Sequence, residues 1–134
     1  MPKKSGLPAP TRHSFALITG ASQGIGEAMA RDLAALGHNV VLVARRKEVL
    51  ERIAGELSAA HDVEAVAFDA DLARAEDVDR LIEFIGGREV SILVNSAGIA
   101  SFGPFMEQDF GYETDQFQLN ATAVHRITLS LIHI

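Results

Sequence analysis

Apolar and polar positions alternate in blocks along this chain, and the blocks change period as they go. SFALITG (14–20) is a short apolar run closed by glycine, which predicts a buried strand. GIGEAMARDLAALG (24–37) sets Ile25, Met29, Leu33 and Leu36 at helical spacing, with Gly37 as a C-terminal stop. HNVVLVA (38–44) reads as a second strand. RKEVLERIAGELSAAH (46–61) carries Val49, Leu50, Ile53 and Leu57 on one face and predicts a second helix. VEAVAFDA (63–70) predicts a third strand, and AEDVDRLIEFIGG (75–87) a helix with Val78, Leu81, Ile82 and Ile85 in one stripe. VSILVNSAG (90–98) is the fourth strand. A loop containing Gly103 and Pro104 follows, and a long helix is expected over 109–128.

The order β-α-β-α-β-α-β-α, with strands apolar throughout, implies burial on both sheet faces and a parallel sheet between helical layers. Right-handed crossovers restrict that to a doubly wound α/β sheet. ILVNSAG would then form an exposed, apolar parallel edge, a predicted aggregation liability.

Composition narrows the function classes. Apolar residues make up 48% and charged residues 22%, as in a globular domain, and the formal charge of −6 argues against a nucleic-acid partner. There is no cysteine, and the histidines show no metal-ligand spacing, so no metal site is expected. No apolar run is long enough to span a membrane. Residues 1–13 hold three of the four prolines and no apolar signal core; they are expected to be a disordered tail on a cytoplasmic protein.

The candidate chemistry begins at TGASQGIG (19–26). Gly20, Gly24 and Gly26 sit where the first strand meets the first helix, with Ser22, Gln23 and Ile25 between and beside them. Glycines there permit a tight turn, a close backbone approach to a pyrophosphate and close helix–strand packing, and the helix start directs free N–H groups at the phosphates. The alternative is a glycine-rich turn with no ligand. About 20 residues on, a carboxylate would select a ribose 2′-OH and a cation a 2′-phosphate. Arg45 and Arg46 occupy that place, so NADP(H) is favoured over NAD(H); otherwise both are surface charges beside a helix start.

TGASQGIG, the Ala44-Arg45 pair, Asp71-Leu72 after the third strand and NSAG (95–98) after the fourth together resemble the short-chain dehydrogenase/reductase family, over about Phe15 to Thr128. The resemblance implies a Rossmann-type sheet, truncated after the fourth strand and the helix that follows. It also implies a hydride transfer between nicotinamide and a small carbonyl or alcohol substrate. On it, Asp71 bonds the adenine amine, Leu72 offers its backbone, and the stretch from Asn95 through Ala97 to Gly98 flanks the adenosine ribose and steadies the central strands. Ser96 stands where the family usually has asparagine. Asn120 matches a helix asparagine that holds a water in the proton relay, and is otherwise a plain helix asparagine. The family's partner would be a second copy packed on helix 109–128.

The family's catalytic serine and Tyr-x-x-x-Lys are missing. Tyr112, the only tyrosine, is followed by Glu-Thr-Asp-Gln, and the last lysine is Lys47. LSLIHI (129–134) is what CTG TCT CTT ATA CAC ATC encodes, a transposon-end tag used in sequencing, so these residues are expected to be adapter-derived; the alternative is a natural apolar helix end. Two readings follow. One is the N-terminal part of an NADP(H)-dependent oxidoreductase, inactive as it stands; the other is a non-catalytic NADP-binding module or redox sensor.

Overall fold

The computed structural model describes residues 6–132; the first five residues of the expected tail, and His133 and Ile134 of the expected adapter-derived stretch, lie outside the described residues. The elements are β1 (Ser14–Thr19), α1 (Gly24–Ala35), β2 (Asn39–Ala44), α2 (Lys47–His61), β3 (Ala65–Asp69), α3 (Ala75–Gly86) and β4 (Glu89–Val94). A 3-10 turn (Phe105–Glu107), α4 (Phe110–Phe117), a π-helical segment (Gln118–Ala123) and α5 (Val124–Leu131) follow. All pairings are parallel, in the order β3-β2-β1-β4.

Side-chain alternation on β1 builds two cores. Ala16 and Ile18 face one layer with Leu33 of α1 and Leu50, Ile53 and Leu57 of α2. Phe15 and Leu17 face the other, with Val78, Leu81 and Ile85 of α3 and Ile127 of α5. A strand buried on both sides is apolar along its middle, which is why FALI and VVLVA carry no period-two pattern, with polar Ser14, Thr19 and Asn39 only at the strand ends. The edge strands are only half-buried: β3 ends on exposed Asp69, and Ile92, Leu93 and Val94 of β4 are partly covered.

The apolar stripe expected on α1 is corrected. Ile25, Met29 and Leu36 are exposed, at 75%, 39% and 57%, and the buried face is Gly26, Ala30, Leu33 and Ala34. The helix lies so close to the sheet that small residues form its contact. A Cβ on Gly26 would overlap the Gly20 carbonyl oxygen. Size, rather than hydrophobicity, marks this face. Gly37 does stop the helix, with φ +95° and its N–H donating to Ala34 O at 2.9 Å.

The C-terminal helix is also corrected. It starts at Phe110, with Asp109 as N-cap accepting from Tyr112 N–H at 2.7 Å, runs to Leu131, and is interrupted by the π segment. The fourth strand ends at Val94, so NSAG belongs to a loop. Residues 6–13 form no helix or strand, yet Asn39 Nδ2 donates to the carbonyls of Thr11 and Arg12 at 3.4 and 3.1 Å.

Candidate functional site

All four strands point their C-terminal ends at one cleft of about 780 Å³, where the loops after β1, β2, β3 and β4 converge. The loop after β1 is a turn that needs glycine. Gly20 has φ +65° and Gly24 φ +59°, both left-handed, and a Cβ on Gly20 would lie 2.7 Å from Ser96 O. Gly24 opens onto free space, with nothing within 4 Å of where a Cβ would be. Gln23 is the N-cap of α1, but its side chain does not cap the helix. The first amides of α1 therefore face the cleft beside an open glycine, an arrangement suited to a pyrophosphate.

The structure brings Gly20, Ser22, Gln23, Gly24 and Ile25 to the cleft together with Arg45 and Arg46 after β2, Asp71 and Leu72 after β3, and Ala97 and Gly98 after β4. Gly26, Asn95 and Asn120 are not in its lining. Gly26 is buried beneath the turn and sets how near α1 approaches. Asn95 donates to Thr128 Oγ1 at 3.2 Å and so ties the β4 loop to α5. Asn120 lies in the π segment, its Oδ1 accepting from Ile99 N–H at 3.0 Å and its Nδ2 donating to Ile99 O at 2.7 Å.

Charge is divided across the cleft. Arg45 is exposed and takes part in no ion pair among the described residues. Arg46 donates to Gln23 Oε1 at 3.1 Å, joining the end of β2 to the glycine turn. Asp71 is turned toward its own loop: Oδ1 accepts from Ala73 N–H at 3.1 Å, and Oδ2 lies 3.5 Å from Arg74 Nε. Its N–H donates to Asp77 Oδ2 at 2.7 Å; that bond first, then Arg80, holds the Asp77 carboxyl below its usual range.

Several residues that build the site carry no role of their own in the sequence reading, or, like Ser96, one only as part of a stretch. Thr19 is buried at the tip of β1, and its Oγ1 accepts from the N–H groups of Ser96 and Ala97 at 3.1 and 3.2 Å. It opens the TGASQGIG stretch, but no spacing rule singles it out. Ser96, Ile99, Tyr112, Asp115 and Leu119 also line the cleft. Only proximity in space identifies the last three.

A sequence model of the short chain dehydrogenase family matches residues 14–134. The chain is 41% identical over 88 residues to a very-long-chain 3-oxoacyl-CoA reductase of Anas platyrhynchos, covering 65% of this chain and 28% of that protein. To the protein of the same description from Pyrenophora tritici-repentis it is 34% identical, covering 96% of this chain and 39% of the relative. The chain thus spans well under half the length of these curated relatives. Among solved structures it superposes on a short-chain dehydrogenase from Sphingobium yanoikuyae in complex with NADPH, with TM-score 0.83 and 36% identity, covering 88% of this chain and 46% of that one. L-sorbose reductase from Gluconobacter frateurii, complexed with NADPH and L-sorbose, gives TM-score 0.84 and 31% identity, with 93% and 48% covered. This chain, with its parallel sheet, glycine turn and cleft at the strand ends, belongs to the short-chain dehydrogenase family.

Proposed function

We propose that residues 14–128 are the cofactor-binding part of an NADP(H)-dependent oxidoreductase, and that this chain binds NADPH without turning substrate over. The observation that carries the reading is Arg45: an exposed guanidinium just after β2, in no ion pair among the described residues, where a ribose 2′-OH would call for a carboxylate. The glycine turn and the uncapped start of α1 fit the pyrophosphate. Asp71 and Leu72 fit the adenine side, and Ala97 and Gly98 the ribose side. NADPH bound to the matched dehydrogenase and to L-sorbose reductase supports the same cofactor here.

When bound, the nicotinamide supplies or accepts the hydride; this chain's residues bind and orient it. Asn120 holds the loop after β4 by both atoms of its amide, a positioning task compatible with a place in a proton relay. The relatives' names point to a carbonyl or alcohol substrate in the whole protein. No Tyr-x-x-x-Lys occurs in this sequence, which is the basis for expecting no turnover. A second copy packed on α4 and α5 is part of the proposal, supported by Phe110 and Phe117 of α4 at 87% and 70% exposure.

Fluorescence titration of the purified chain tests the reading. Saturable NADPH binding, tighter than NADH, with no NADPH oxidation across a carbonyl panel is expected. Failure to bind NADPH overturns the cofactor assignment, and turnover overturns the inactivity.

A further inference from the structure

The loop from Asn95 to Pro104 contains no helix or strand, and its residues Ser96 to Ile99 form one wall of the cleft. Its two ends are held separately. At the start, Thr19 fixes the Ser96 and Ala97 amides. At the far end, Gln108 Nε2 donates to the carbonyls of Phe102 and Pro104 at 2.7 and 3.2 Å. The middle, Ile99 to Ser101, is gripped by side chains from the C-terminal helix at 112, 116 and 120, spaced four apart on one side. Tyr112 donates its phenol O–H to Ala100 O at 3.2 Å. Gln116 Oε1 accepts from Ser101 N–H at 2.6 Å, and Asn120 bonds both main-chain groups of Ile99.

We infer that Gln116 and Tyr112 are positioning residues for the cofactor cleft, extending the grip of Asn120 by two helical turns so that Ile99, at the cleft wall, stands in place before a ligand arrives. Each of three consecutive loop residues has a main-chain group bonded to the helix, so the loop cannot shift along it without breaking all the rungs together. Asn120 alone would leave Ala100 and Ser101 free to move, and the wall would have to be ordered during binding. Tyr112 lines the cleft itself, while Gln116 is half-buried behind it and acts through Ser101. A leucine at 116 would keep the helix and its bulk but lose the acceptor for Ser101.

The inference rests on the cofactor reading, and its test separates the two. It compares the full chain with Gln116→Leu, Gln116→Glu and Tyr112→Phe, measuring NADPH and adenosine 2′,5′-bisphosphate affinity and amide exchange at Ser101. Arg45 and Asp71, after β2 and β3, lie on the opposite side of β1 from this loop, and the ribose-side Ala97 is held by Thr19 rather than by Gln116, so the bisphosphate should depend little on Gln116. Gln116→Leu is expected to weaken NADPH about fivefold, as befits one hydrogen bond, while the bisphosphate stays within about twofold. It should also speed exchange at Ser101. Gln116→Glu keeps an acceptor and should restore both, and Tyr112→Phe should show a smaller loss for NADPH alone. Unchanged NADPH affinity in Gln116→Leu, or equal losses for both ligands, overturns the inference. If the unaltered chain binds no NADPH, the cofactor reading fails; Ser101 protection released by Gln116→Leu would still support the clamp, and an unprotected Ser101 would overturn it.

Discussion

Two walls of one cleft are built by opposite means. The wall after β1 depends on atoms that are absent: Gly20 touches Ser96 through bare backbone, and Gly26 lets α1 settle onto the Gly20 carbonyl. The wall after β4 depends on atoms that are present: the Thr19 hydroxyl, the Asn120 and Gln116 amides and the Tyr112 phenol each hold a main-chain group that no strand or helix satisfies. The first wall should therefore break when a side chain grows and the second when one shrinks. The first should also fail as a packing defect, the second mainly as a loss of order.

The largest effect is expected from Gly26→Ala. Its methyl must push α1 away from the turn, so thermal or denaturant melts should show a loss of about 3 kcal/mol, the upper range for overpacking a closed site, together with loss of NADPH binding. An unchanged melt would show that the two elements separate freely. Next comes Thr19→Val, which keeps the shape but strands two amides; a destabilisation of about 2 kcal/mol is expected, read by the same melts. Smallest is Asp77→Asn. The Asp77 carboxyl is held below its usual range by the Asp71 N–H, so its contribution is complete above the ordinary carboxylate range and is lost as pH falls through the lowered value. The asparagine variant should be about 1 kcal/mol less stable at neutral pH and should converge on the parent in acid, measured by melts across pH. A constant difference at every pH would mean that ionisation of Asp77 is not what stabilises the β3–α3 turn.

The same contrast explains what could be read from the residues alone. The succession of strands and the two-sided sheet follow from apolar runs such as NVVLVA, because a central parallel strand has no polar face to show, whereas their spatial order does not. The glycine turn was legible because only glycine tolerates its φ angles and its contacts. The face of α1 was not: Ile25 and Met29 mimic a core stripe, while the contact is made by Gly26, Ala30 and Ala34, whose smallness carries no periodic signal. The clamp was invisible for a different reason. Tyr112 and Gln116 are ordinary polar helix residues until the chain brings Ala100 and Ser101 alongside them, and Asn120 stands out only through the family resemblance. Asn95 turns its side chain to Thr128, a contact that steadies the end of β4 and that only the folded chain reveals.

The central claim, that Arg45 makes this cleft a site for a 2′-phosphorylated dinucleotide, is tested most directly by the ratio of NADH to NADPH dissociation constants for the chain and for Arg45→Asp. The parent chain should favour NADPH by about tenfold or more, as expected of a charge-assisted contact. The aspartate should reverse that preference, since it repels the phosphate and accepts from the free ribose hydroxyls. A ratio that is the same in both proteins would contradict the account.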